Sequence, residues 1–303
     1  MRLVIAIGGN ALLKRGETLS ATNQAHNMAM SAIGLAHICA GHEVAIVHGN
    51  GPQVGLLALE AALYKVVPPY PFDILGAESQ GMIGYVIAQA MRNAVPGREV
   101  VALVTQTLVD RSDPAFERPT KPIGPIYTKA EIVAMTPPPD WHFAADGLHT
   151  RRVVASPKPL DIVELAAIEH LVAAGILTIC CGGGGIPVIK VASAGSIGKI
   201  RGVEAVIDKD LASALLAIRL NADRLIILTD VDGIYADWMQ AGQRLIRSTT
   251  VAELQAMTFS QGSMGPKVEA ACRFASETGN PVFIGNLQAA SAVASGAAGT
   301  RVC

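Results

Sequence analysis

Short apolar runs that close on glycine recur along the chain, and most of them lead into a stretch of helical periodicity. Leu3–Ile7 is uninterrupted apolar sequence followed by Gly8-Gly9-Asn10, the pattern of a strand buried on both faces of a parallel sheet. A helix is predicted over Ser20 to Ala40, stopped by Gly41. Glu43–Val47 is a second strand, ending in His48-Gly49-Asn50-Gly51, and Pro52 sits where the next helix, Gln53 to Tyr64, begins. A proline-rich turn precedes a helix over Ala77 to Ala94, and Val100–Val104 is a third strand. The rhythm returns further on, with a helix over Asp161–Ala174 and a strand over Ile176–Cys181 that ends in Gly182-Gly183-Gly184-Gly185. Ala205–Ile207 runs into Asp208-Lys209-Asp210 and a strongly helix-forming stretch to about Asn221, so Asp208 is an N-cap candidate. Arg224–Leu228 is a strand before Thr229-Asp230-Val231-Asp232-Gly233. Thr249–Met257 is a short helix with Glu253 placed for a capping interaction. Gly262-Ser263-Met264-Gly265-Pro266-Lys267 opens a helix through Ser276, and Pro281–Ile284 is a last strand before Gly285-Asn286.

Residues 110–159 break this pattern. Nine of the 17 prolines lie between Pro114 and Pro159, together with Phe116, Tyr127, Trp141 and Phe143. The stretch reads as an insertion projecting from the sheet with its own turns and hairpins, and long ordered insertions are often lids or binding loops.

Composition narrows the function classes. Half of the 303 residues are hydrophobic and only 16% are charged, which describes a close-packed α/β chain. A net charge of −1 implies no basic face for nucleic acid. The longest uncharged run, Leu171 to Ile189, contains Gly175, four consecutive glycines and Pro187, and reads as a helix end, a strand and a turn, not a membrane span. No targeting segment is read at the start of the chain, where Gly8-Gly9-Asn10 and Lys14-Arg15 interrupt the apolar run. The five cysteines are odd in number and lack zinc-site spacing, so a reduced, cytoplasmic protein is expected.

In open α/β sheets ligands bind at the carboxyl ends of strands, where these turns fall. Glycine lets backbone approach a ligand closely, and asparagine adds a short amide donor. Each turn alone is equally a tight connection with nothing bound. Four consecutive glycines cost conformational entropy that a plain turn does not need, and close approach to a phosphate is the usual reason. GxGxxG fails at Pro187, and no GxxxxGK[ST] occurs, so neither common phosphate-loop motif is present. Lys209 and Lys267 each stand near a predicted helix start, making a candidate phosphate clamp with Asp210 beside one of them. Asp208, Asp230 and Asp232 make no dense metal cage, which is compatible with a Mg²⁺ held mostly by nucleotide phosphates. His48 is read as bonded within its own turn, and Cys180-Cys181 as core residues.

Taken together these stretches resemble the carbamate kinases, within the amino acid kinase superfamily. The resemblance is carried by Ile5–Leu12, His48–Gly55, Pro119–Pro125, Arg151–Pro159, Cys181–Val188, Val206–Asp210, Leu228–Gly233 and Gly262–Lys267. It implies a three-layer αβα sandwich around a mostly parallel open sheet, as one amino acid kinase domain over 1–303. It also implies a small protruding lid-like subdomain, which the insertion at 110–159 matches, and a homodimer. The implied reaction is reversible phosphoryl transfer between carbamoyl phosphate and ADP, giving ATP and carbamate. By the same resemblance Lys209 and Lys267 hold the transferring phosphoryl and nucleotide phosphates, Asp210 orients them, and Lys121 arrives from the subdomain. Gly8, Gly9, Asn10, Asn50 and Gly51 would line the carbamate side. Gly183, Gly184, Asp208, Thr229, Asp230 and Met264 belong nearer the nucleotide.

Two alternatives remain against this reading. One is a kinase of the same superfamily acting on another small acyl phosphate, against which the pocket offers no spare arginine or lysine for a second carboxylate. The other is a non-catalytic regulatory paralogue, against which stands the retention of Lys121, Lys209, Lys267 and Asp210.

Overall fold

The computed structural model describes residues 1–14, 16–137, 141–146, 149–191, 198–240, 242–260 and 264–303, without the side chains of Asn10, Pro125, Asp146 and His149. An eight-stranded sheet runs through the molecule in the order 248–249, 300–302, 282–286, 224–229, 2–7, 43–48, 177–179 and 100–102. All neighbours are parallel except Val282–Asn286 against Thr300–Val302.

Alternation along the buried strands builds the layers. Leu3, Ile5 and Ile7 point to one face, with Val44 and Ile46, and meet Met28, Ala32 and Leu35 of the Ala21–Cys39 helix and Ile83, Ile87 and Met91 of the Phe72–Ala94 helix. Val4 and Ala6 point to the other, with Ala45 and Val47, toward helices Leu165–Ala173, Lys209–Arg219 and Met264–Thr278. Side chains of this size contribute about 1.5–3 kcal/mol each when fully buried, so a strand apolar on both faces is stable only between two helical layers. The result is the expected αβα sandwich around a mostly parallel sheet.

Local signals set most boundaries. Ser20 caps the first helix by accepting from Asn23 N at 3.2 Å, and Gly41 follows its end with φ +71°. Thr250 and Glu253 form a capping box at the Val251–Gln255 helix. Two predicted elements differ. The helix expected from Ala77 starts at Phe72, directly after Pro71 at the N-cap. The helix expected from Asp161 starts at Leu165, because Asp161–Ile162 pairs antiparallel with Thr107–Leu108 instead. That pairing belongs to a second sheet, in the order 200–202, 186–190, 106–108 and 161–162, of which the chain pattern gave no sign. The predicted opening of a helix at Gly262-Ser263 lies outside the described residues.

A third sheet stands apart, in the order Lys121–Tyr127, His149–Val154 and His142–Asp146, with the Lys129–Met135 helix in the same stretch of chain. It docks through Ile123 and Val154, which share a cluster with Val54, Ala58, Phe72 and Leu75. The approach is closest where Gly55 of the Gly51–Leu63 helix meets Gly124, and a Cβ on Gly55 would overlap the Gly124 backbone. The Arg152 guanidinium lies 3.7 Å from the Trp141 ring centre and 4.8 Å from that of Phe72, tying the small sheet to the start of the Phe72–Ala94 helix. Among the described residues no helix is long and apolar enough to cross a membrane.

Candidate active site

Four adjacent parallel strands of the large sheet deliver their carboxyl ends to one place. Gly8 follows Ile7, Gly49 follows His48, Cys180 and Cys181 follow Ile179, and Asp230 follows Thr229. Asp208 is the N-cap of the Lys209–Arg219 helix, with Oδ1 accepting from Asp210 N at 2.8 Å, which sets both following side chains at the helix start.

The charged groups then close on one another. Asp210 Oδ1 accepts from Lys209 Nζ at 2.6 Å and Oδ2 from Lys267 Nζ at 3.2 Å. Lys121, from the small sheet, reaches the free oxygen of Asp208. The ion pairs bring three ammonium groups, from Lys121, Lys209 and Lys267, to one place, a concentration of donors that suits an anion. Asp210 is almost wholly buried, with 4% of its side chain accessible. Burial alone would raise its pKa, but Lys209 and Lys267 overcome that and hold it far below the usual carboxylate range. Burial pushes Lys209 below the usual lysine value against the pull of Asp210, and the positive Lys267 adds to the push. For Lys267 burial acts the same way but Asp210, Asp208 and Asp230 outweigh it, so its pKa lies above the usual value.

The glycine turns pack around this cluster. A Cβ on Gly49 would come within 3.3 Å of Lys209 Cδ and of Gly9 N, so the lysine stem runs close over a turn that glycine keeps clear. Gly8 N donates to Leu228 O at 3.0 Å, and Gly9 to Ala11 form a single 3-10 turn. The backbone of Asn10 lies in that turn, and its side chain is outside the described part of the structure. Gly51 opens the helix after Asn50, and a side chain there would meet only open space. Gly183, at φ +63°, lies against the Asn50 amide, and a Cβ on Gly184 would come 2.6 Å from Ile207 O. The glycine run therefore spans from the Asn50 turn to the residue before Asp208. Thr229 Oγ1 donates to Asp230 Oδ1 at 3.2 Å at the neighbouring strand end. Met264 begins the helix that carries Lys267 and packs against the hydrophobic core.

Three polar residues outside the sequence-predicted set hold these turns. Ser79 bonds Asn50 at 2.9 Å. Its neighbour Gln80 accepts from Thr105 N at 2.8 Å, and Thr105 Oγ1 accepts from Cys181 N at 2.6 Å, at the head of the glycine run. The one signal for them in the sequence is a Ser-Gln pair at positions where the Phe72–Ala94 helix is otherwise packed with apolar side chains. His48 does bond within its own turn, to Gly49 O at 3.1 Å, and burial depresses its pKa to about 4.

Comparison with known proteins shows the family. The family model for the amino acid kinase family matches residues 1–286. A carbamate kinase of Haemophilus influenzae is 48% identical over 303 residues, covering 100% of this chain and 96% of the relative. The chain belongs to the amino acid kinase family, among the carbamate kinases. Two solved structures of a Giardia lamblia carbamate kinase superpose on it along nearly the whole length. The one bound to citric acid has a TM-score of 0.91 at 41% identity, covering 99% of this chain and 97% of that one. The one bound to AMP-PNP has a TM-score of 0.87 at 41% identity, covering 99% and 98%. The small sheet that supplies Lys121 lies within the regions covered.

Proposed function

We propose that the chain is a carbamate kinase enzyme that transfers a phosphoryl group reversibly between carbamoyl phosphate and ADP, giving ATP and carbamate. The observation that carries this reading is the Asp210 carboxylate holding the ammonium groups of Lys209 and Lys267 at one point, with Lys121 brought in from a separate sheet. In the direction of ATP synthesis a β-phosphate oxygen of ADP attacks phosphorus and the bond from phosphorus to the carbamate oxygen breaks. Charge spreads over the equatorial oxygens in the transition state, so alignment and positive groups matter more than a base. Carbamate leaves as an anion, and in the reverse direction it attacks as one, so neither direction requires a proton to be moved.

The residues divide the work as follows. Lys209 and Lys267 aim their remaining N–H groups at the transferring phosphoryl oxygens while paired to Asp210, which keeps both ammoniums in register. Lys121 neutralises the acyl phosphate from the opposite side. The backbone of Gly8, Gly9, Asn10 and Gly51, with the Asn50 amide, holds the carbamate moiety. Gly184, Thr229, Asp230 and Met264 line the nucleotide side. Gly183 is assigned there by resemblance, but its contact with Asn50 joins it to both sides. Asp208 is assigned to the nucleotide side by resemblance, and its ion pair with Lys121 adds the role of seating that lysine.

The donor set fits a Mg²⁺ that arrives with the nucleotide. Asp208 and Asp210 are committed to lysines, and the described residues contain no cluster of three metal-ligating side chains. Nucleotide phosphates would therefore hold the ion, and when bound it neutralises their charge.

The small sheet, within residues 110–159, acts as a lid that excludes water and delivers Lys121. The enzyme works as a homodimer, a reading supported by the concentration of exposed apolar side chains in one stretch of chain, Tyr64, Val66, Tyr70, Ile74 and Met82. Sedimentation at micromolar concentration should give a dimer mass. Five unpaired thiols fit a cytoplasmic enzyme.

The deciding assay is ATP formation from ADP with carbamoyl phosphate, run beside acetyl phosphate and N-acetylglutamyl phosphate. Carbamoyl phosphate should be used with the highest kcat/KM, and a preference for either of the others would refute the assignment.

A further inference from the structure

Ser79 is fully buried on the Phe72–Ala94 helix. Its hydroxyl donates to Gly76 O at 2.8 Å. With its one proton committed there, Ser79 Oγ can only accept from Asn50, and it does so from Nδ2 at 2.9 Å. That contact sets the amide nitrogen of Asn50 toward Ser79. Gly183 lies against the flat face of the same amide, since a Cβ there would overlap Nδ2, Cγ and Oδ1 alike. The amide is thus held at its nitrogen edge and on one face. Oδ1 takes no hydrogen bond among the described residues. In a flipped amide the Ser79 hydroxyl would have to give up Gly76 O and turn its proton to Oδ1, so the Gly76 bond favours the orientation with Nδ2 toward Ser79.

Carbamoyl phosphate carries an NH₂ where acetyl phosphate carries a methyl. The two groups have nearly the same shape, and an acceptor placed against them tells them apart. We propose that Ser79 is a positioning residue that turns Asn50 so that Oδ1 accepts a hydrogen bond from the NH₂ of carbamoyl phosphate. The Ser79–Asn50 pair thereby sets the preference for carbamoyl over other small acyl phosphates. This rests on Asn50 lying on the carbamate side of the site. Facing a methyl group, the Oδ1 of the largely buried Asn50 gains no partner, which is how a hydrogen-bonding site disfavours an isostere.

The test compares kcat/KM for carbamoyl phosphate and for acetyl phosphate, both with ADP, in wild type, Ser79→Ala, Asn50→Ala and the double variant. Ser79→Ala should lower the carbamoyl-to-acetyl ratio about tenfold, through carbamoyl phosphate alone, with KM for ADP unchanged. Ser79→Cys, which retains a weak acceptor, should recover part of the ratio, and it carries the same test if Ser79→Ala does not fold. In the double variant the ratio should equal that of Asn50→Ala, because Ser79 acts only through Asn50. Equal losses on both acyl phosphates, or effects of the two substitutions that add in full, would overturn the proposal and leave Ser79 a packing residue. If Asn50→Ala leaves carbamoyl phosphate kinetics untouched, the placement of Asn50 on the carbamate side is what fails, and the proposal goes with it.

Discussion

Lys121 and Asp208 form an ion pair across 87 residues of sequence, joining the small three-stranded sheet to the start of the Lys209–Arg219 helix. Asp208 does two jobs at once: one oxygen caps the helix and the other takes the lysine. Asn caps a helix about as well as Asp but carries no charge. Asp208→Asn should therefore leave the melting temperature nearly unchanged and raise KM for carbamoyl phosphate about tenfold or more, as expected for loss of a partly buried charged partner. A large drop in melting temperature with unchanged KM would mean that the pair is structural only.

Lys209→Ala and Lys267→Ala should each reduce turnover at least a hundredfold, on the order of 3 kcal/mol of transition-state stabilisation. The measurement is kcat at saturating ADP and carbamoyl phosphate in a variant shown to be folded. Near-normal turnover in either would remove that lysine from the phosphoryl clamp.

Asp210→Ala should act on stability as well as on rate. It leaves two largely buried ammonium groups without their shared carboxylate, and breaking a buried pair from one side costs about 3–5 kcal/mol. Urea unfolding should show the loss as a lower midpoint with an unchanged slope. Phosphate or ATP added to the variant should recover part of it, because an anion can replace the missing carboxylate.

His48 predicts an acid limb in stability. Its folded pKa is depressed by burial to about 4, from an unfolded value of 6.5, so the unfolded chain binds the proton more tightly. Stability from this group is whole above pH 6.5 and falls as the pH drops toward 4, by roughly 3 kcal/mol in all. Unfolding free energies of wild type and His48→Gln, measured from pH 7.5 to 4, should converge by about that amount. Parallel curves would show that His48 does not titrate with unfolding.

Gly55→Ala should push the small sheet away. The added Cβ overlaps the backbone of Gly124, which cannot rotate aside as a side chain would. The overpacking costs about 1–3 kcal/mol, and the displaced sheet carries Lys121 with it. A higher KM for carbamoyl phosphate, with little change for ADP, is the expected reading in steady-state kinetics.

Much of the fold was legible along the chain because the signals are local. Uninterrupted apolar runs such as Leu3–Ile7, capping residues such as Ser20, Asp208 and Thr250, and glycine at strand ends act within a few residues of where they stand. They pointed to a parallel sheet with glycine turns at its strand ends and drew attention to Lys209 and Lys267, while the two helical layers came from the family resemblance. The short strands 106–108, 161–162, 186–190 and 200–202 escaped, because segments of two to five residues carry too little periodicity to register, and the partners of 106–108 lie more than 50 residues away.

What only the tertiary structure decided is which groups meet. Nothing near Asp208 in sequence says that it receives Lys121; the resemblance groups Asp210 with Lys209 and Lys267, and the structure puts one oxygen of its carboxylate on each. Nothing near Ser79 says that it fixes Asn50. Hydrogen bonds and ion pairs between distant side chains have no period and no composition. They depend on where the sheet and its helices place those side chains in space, and that placement follows from burying apolar residues elsewhere in the chain.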